Sequence, residues 1–170
     1  IDRRLSKPKE FVVGLLSRFE IINTFDNRHN FRNLAVIDPE DRSYKWYFER
    51  CASDSETFAI FCKLTEILFR KGIKVSIRPH PNENIESYKF LKRKYGCMFI
   101  VDRSFDINEW IHSVSVVVGP ASTAFAEAYL SGTPIITTNN IQRFKFSRSD
   151  QKMILDKFLL SSYKPKTVDE

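Results

Sequence analysis

Ser115-Val116-Val117-Val118-Gly119 carries nothing polar in its middle, as expected of a strand covered on both faces of a parallel sheet. It gives way to Pro120-Ala121-Ser122-Thr123 and a small, apolar helical stretch that Gly132 ends. Upstream, Lys74-Val75-Ser76-Ile77-Arg78 reads as another strand, ending at the corner Pro79-His80-Pro81. Asn84 to Tyr95 then reads as a helix with Gly96 as its cap, and Met98-Phe99-Ile100-Val101 as a short strand. Asp106 is placed to cap a helix through His112. Phe11 to Leu16 and Pro134 to Thr138 supply the outer strands of the pattern, and Ser43 to Lys71 a long helical stretch or two shorter ones. In that stretch Phe58, Phe61, Cys62, Thr65, Leu68 and Phe69 recur at spacings of three and four. Ser149 to Ser161 reads as a closing amphipathic helix. Strands and helices alternating in this way predict an α/β, Rossmann-like three-layer α/β/α domain with a mostly parallel sheet.

The chain of 170 residues suffices for one domain of ordinary size, and 42% hydrophobic residues with fifteen Phe argue against disorder. No apolar run approaches the length of a membrane span. The first residue is Ile1, so the chain reads as a piece of a longer protein. On that reading residues 1–10 are a linker from a missing N-terminal domain, 11–162 the Rossmann-like domain and 163–170 a polar tail. The formal charge of +6 favours anionic partners: nucleotides, nucleic acid or an acidic membrane surface. Cys51, Cys62 and Cys97 lack metal-ligand spacing and are expected to be reduced and buried.

Both corners fall at the carboxyl ends of strands, the edge where such sheets bind ligands. His80, stiffened by a proline on each side, offers an imidazole, and Arg78 a guanidinium that Glu83 is equally placed to claim. Ser122 and Thr123 offer hydroxyls and the open N–H groups of a helix start, although both residues are ordinary helix caps. A phosphate held between the two corners is the simplest ligand. Glu127, a lone carboxylate among Ala124, Phe125, Ala126 and Ala128, wants either a ribose or a basic neighbour. Ser17, Arg18 and Asn23 follow the first strand and point toward the same cleft. There is no GxGxxG or GxxxxGK[ST] run, no zinc cluster, no nucleophile elbow and no Asp-x-Asp metal motif.

Arg78-Pro79-His80-Pro81-x-Glu83 resembles the His-Pro motif of bacterial surface-polysaccharide glycosyltransferases. Val116 to Glu127, with Gly132-Thr133-Pro134-Ile135-Ile136, resembles their donor-nucleotide site. Gly14-Leu15-Leu16-Ser17 and Ile22-Asn23-Thr24 are similar to the surface carbohydrate biosynthesis proteins. Comparable motifs occur in bacterial sialyltransferases, Kdo transferases and CDP-glycerol glycerophosphotransferases. The likeness runs over residues 10–140 and implies the C-terminal, donor-binding half of a GT-B enzyme, two Rossmann-like domains facing across a cleft. By resemblance His80 is the catalytic group that stabilises the leaving phosphate, with Ser122 and Thr123 beside it and Glu127 on the ribose. The base then rests against the loop from Asp102 to Ile107, and Arg18 or Arg78 serves a second phosphate.

The partners so implied are a nucleotide-sugar donor, with a CMP-sugar favoured, a glycan or lipid-linked acceptor and the N-terminal GT-B domain. No metal or cofactor is expected. The location implied is cytoplasmic, peripheral at the inner face of an anionic membrane. Three alternatives stay open: a CDP-glycerol-type polyol-phosphate transferase, a nucleotide-sugar epimerase on the same fold, and a non-catalytic nucleotide-binding or interaction module. Phe144-Lys145-Phe146 and Tyr44-Lys45-Trp46-Tyr47 have the look of a nucleic-acid surface but serve equally as core or domain interface; nucleic acid is not the expected partner.

Overall fold

A computed structural model describes residues 8–19, 21–23, 42–144 and 162–170, with side chains from residue 47 onward in the first helix. Most of the linker, Thr24, residues 145–146 and the closing helix expected over Ser149–Ser161 lie outside the described residues. In chain order the elements are β1 (Val12–Leu16), α1 (Arg42–Arg70), β2 (Lys74–Arg78), α2 (Lys89–Tyr95), β3 (Phe99–Val101), α3 (Ile107–Ser113), β4 (Val116–Gly119), α4 (Ala124–Leu130) and β5 (Ile135–Thr137).

The five strands form one sheet in the order β3-β2-β1-β4-β5, with every adjacent pair parallel. Chain order reverses between β1 and β4, so the switch point of the sheet lies there. Helices cover the sheet on both faces, which buries the middle of β1, β2 and β4. On one face Phe61 of α1 and Leu91 and Tyr95 of α2 pack with Val13, Leu15 and Val75. On the other, Trp110 and Ile111 of α3 and Phe125 and Ala128 of α4 pack with Val12 and Val117. This is the expected three-layer α/β, Rossmann-like domain.

Local chemistry sets the ends of the elements. Asp106 caps α3 by accepting the Asn108 N–H at 2.8 Å, as expected. Gly132, just beyond α4, has φ of 69°, a left-handed conformation that glycine adopts without a Cβ clash. Two helix starts differ from the expected ones by more than a residue. The helix expected from Asn84 begins as a 3-10 turn over Ile85–Tyr88, because the Asn84 side chain accepts the Glu86 N–H at 3.0 Å and tightens the entry. The helix expected from Ala121 or Ser122 becomes regular at Ala124. Its first turn is closed by Phe125 N–H to Ser122 O at 3.0 Å and Ala126 N–H to Thr123 O at 2.9 Å, both three-residue bonds.

Burial of the cysteines is corrected in part. All three are free thiols, but Cys97 is exposed, since its turn (Gly96–Met98) lies outside the sheet before the edge strand β3. Cys51 and Cys62 are half-buried, and burial pushes both thiols above their ordinary values.

Close strand packing requires a glycine at the end of β4. A Cβ on Gly119 would sit 2.9 Å from Leu16 Cβ and 3.0 Å from Leu16 O, so backbone rather than a flexible side chain would have to move. Gly119→Ala is therefore expected to cost about 2 kcal/mol, read as a lowered urea midpoint. An unchanged midpoint would show that β1 and β4 have slack at this edge.

Candidate functional site

Leu16 ends β1, and the next two residues divide their side chains between the neighbouring corners. Ser17 reaches toward β2. Its Oγ lies 2.9 Å from both carboxylate oxygens of Glu83 and accepts the His80 N–H at 3.2 Å. Arg18 reaches toward β4, donating from Nη1 to Ala121 O at 2.6 Å. The His80 corner and the Ala121–Thr123 turn are thus both tied to one dipeptide, across the switch point.

Glu83 holds the first corner together. It is 0% exposed and accepts from Ser17 Oγ, Phe19 N at 3.3 Å, His80 N at 3.4 Å and, at short range, the Tyr88 hydroxyl. Burial first, and then the Glu83 charge, pushes the Tyr88 phenol far above its ordinary value, so it stays a donor at any physiological pH. From outside, Arg103 donates from Nη2 to Pro81 O at 3.1 Å and Glu83 O at 3.2 Å. The Asn82 N–H donates to His80 Nδ1 at 3.3 Å, so the neutral imidazole carries its proton on Nε2.

Arg78 does not pair with Glu83, the alternative left open by the sequence. Its Nη1 donates to Asp102 at 2.6 Å and to Ser104 Oγ at 2.9 Å, and its Nη2 to Ser104 O. Arg78 and Asp102 are both in the expected site, yet they meet each other and fasten the loop that follows β3. Beyond that anchor Phe105 is fully exposed, whereas Ile107 packs into the core beneath α3.

At the second corner Ser122 Oγ accepts the Ala124 N–H at 3.1 Å, the cap expected of it. The N–H groups of Ser122 and Thr123 meet no acceptor among the described residues, and Thr123 is exposed. Asn139, following β5, steadies the turn by accepting the Ala121 N–H at 2.9 Å. Glu127 Oε2 is buried without a hydrogen-bond partner among the described residues.

The structure therefore gathers Ser17, Arg18, Arg78, His80 and Asp102 into one bonded edge, to which Arg18 ties the turn bearing Ser122 and Thr123. Glu127 stands on the helix behind that turn. Sequence reading missed Arg103, Ser104, Tyr88 and Asn139, and left Glu83 only as an open alternative partner for Arg78. The signal for Glu83 was its place three residues after His80 in a proline-bounded turn, where a carboxylate readily accepts backbone N–H groups. A cavity of about 210 Å³ lies on the α1 side of the sheet, between Leu64 and Leu68 of α1, Val116 and Ile136, and the closing segment at Tyr163 and Pro165.

No protein-family profile matches the chain, and no curated protein matches its sequence. Among solved structures it is similar to Thermosulfurimonas dismutans KpsC, described as a beta Kdo 2,4 transferase. The identity is 15% and the TM-score 0.41, over 95% of this chain and 47% of that one. It is also similar to TarM, at 15% identity and a TM-score of 0.42, over 96% of this chain and 30% of that one. The chain thus spans less than half the length of either. Likeness this distant leaves function to the residues themselves.

Proposed function

We propose that this chain is the donor-binding domain of a glycosyltransferase of bacterial surface-polysaccharide synthesis, the C-terminal half of a GT-B enzyme, acting on a CMP-linked sugar. The observation that carries the reading is the Ser17–Arg18 dipeptide, which fixes an imidazole corner and a turn with two open N–H groups on either side of the switch point. The site so made suits one phosphate. As the glycosyl bond breaks, negative charge gathers on the leaving phosphate, and donors aimed there stabilise the transition state more than the bound donor. His80 donates from Nε2, with the Ser122 and Thr123 amides beside it. Glu127 Oε2, a buried acceptor, takes the ribose hydroxyls, and the base lies along the loop from Asp102 to Ile107. The acceptor and the catalytic base belong to the partner domain, so this chain by itself binds donor without turning it over.

Calorimetric titration with CMP, CDP, UMP and UDP tests this. CMP is expected to bind best, and His80→Ala to weaken it by about tenfold to a hundredfold, the range of a hydrogen bond to a charged group. CMP affinity that survives His80→Ala, or absence of binding by all four, overturns the reading. A preference for CDP favours polyol-phosphate transfer instead.

A further inference from the structure

The helix layer of α1 and α2 carries a second surface on its outer side. Helix α2 (Lys89–Tyr95) buries Leu91 and Tyr95, and its other five residues, Lys89, Phe90, Lys92, Arg93 and Lys94, are all exposed. Phe90 is 46% exposed, and the cations one turn on from it are Arg93 and Lys94. The end of α1 joins this face. Phe69, itself 40% exposed, lies 4.6 Å ring to ring from Tyr95, and Arg70 and Lys71 follow it into solvent. Glu86 pairs with Lys89 and Glu66 with Arg70. Among the described residues Lys71, Lys92, Arg93 and Lys94 have no carboxylate partner, although Lys94 lies over the Tyr95 ring.

We infer that the outer face of α2 and the last turn of α1 form a docking surface for an anionic membrane. Four uncompensated cations supply attraction to acidic headgroups, and Phe90 and Phe69 stand among them where an interfacial helix carries its apolar residues. The surface is built on helix exteriors, where its exposed cations and rings can meet an acidic lipid sheet. A nucleic acid strand would ask for a groove with rings on which bases stack. No described helix is long and apolar enough to cross a membrane, so the contact is peripheral. Both helices end where the next strand starts, so Lys71 and Lys94 lie toward the edge away from His80. The inference rests on charge and exposure alone and is independent of the donor reading.

Co-sedimentation of the whole chain with phosphatidylcholine vesicles, with and without phosphatidylglycerol, tests it. Binding is expected to anionic vesicles alone and to fall as salt rises. The double variant Lys92→Glu/Arg93→Glu should weaken it at least about twentyfold, from the contribution of each basic residue near a charged surface. Lys164→Glu/Lys166→Glu, the same change of charge at other exposed positions, should weaken it no more than about threefold. Phe90→Ala should weaken it several-fold without altering net charge. Nucleotide affinity should be the same in all of these variants. Failure to prefer anionic vesicles overturns the inference, as does equal loss in the two double variants. Tighter binding to a single-stranded oligonucleotide, lost in Lys92→Glu/Arg93→Glu, would overturn it in favour of nucleic acid.

Discussion

Glu83→Ala is expected to destabilise the domain by about 4 kcal/mol, or roughly 10 °C in Tm for a chain of this size. The carboxylate is fully buried and serves as acceptor for two hydroxyls and two backbone N–H groups. Burying the charge is itself costly, so the site is not simply a store of stability. Removing the acceptor nevertheless leaves its donors behind. Ser17 can turn to Arg78 O, which lies 3.4 Å from its Oγ. The His80 amide keeps its bond to Ser17 Oγ at 3.2 Å, but the Phe19 amide and the Tyr88 hydroxyl lose their carboxylate acceptor, and each orphaned donor costs about 1–3 kcal/mol. Glu83→Gln keeps the shape and half the acceptors, and should cost about half as much. Urea unfolding of both variants followed by circular dichroism decides the matter. A loss below about 1 kcal/mol for the alanine variant would mean the corner is held by its prolines and Arg103 instead.

Trp110→Ala should be as damaging, at about 4 kcal/mol. Its indole is 1% exposed at the centre of the α3 and α4 side of the core, and its Nε1 donates to Ser76 Oγ at 3.0 Å. It also lies over Gly14: a Cβ there would meet Trp110 Cζ2 at 2.9 Å and Val114 Cγ2 at 2.9 Å. The two positions are therefore coupled. Gly14→Ala should be costly in the native background and cheaper, by about 1 kcal/mol, once Trp110 is alanine. Additive losses in that cycle would show that Val114 alone sets the limit.

The sheet was legible because buried parallel strands announce themselves. Lys74–Arg78 is the strand expected, and Ser115–Gly119 differs from the observed Val116–Gly119 by one residue. Strand order was not legible, since nothing local in β1 says that it will lie between β2 and β4. Helix starts were misplaced where side chains bond their own backbone, as Asn84 and Ser122 do. At the candidate site, position could be read but partnership could not. His80, Ser122 and Thr123 could be assigned to the ligand edge from their place after strands. That Arg78 meets Asp102 rather than Glu83 depends on β3 lying beside β2, a contact between residues 24 positions apart. Arg103 was invisible for the same reason.

The segment read as a polar tail has a consequence for how the domain behaves in a crowd. Tyr163 N–H donates to Ile135 O at 2.9 Å, and Thr137 N–H to Tyr163 O at 3.0 Å, so the outer margin of β5 is occupied by the chain's own backbone. Lys63 and Asp169 pin the far end of the segment at 2.9 Å. A bare strand margin is a template for pairing with any other extended chain, another copy included. At the opposite margin β3 is three residues long, too short to recruit much. Residues 162–170 thus insulate the molecule against self-association, and they do it through main-chain groups that composition does not reveal.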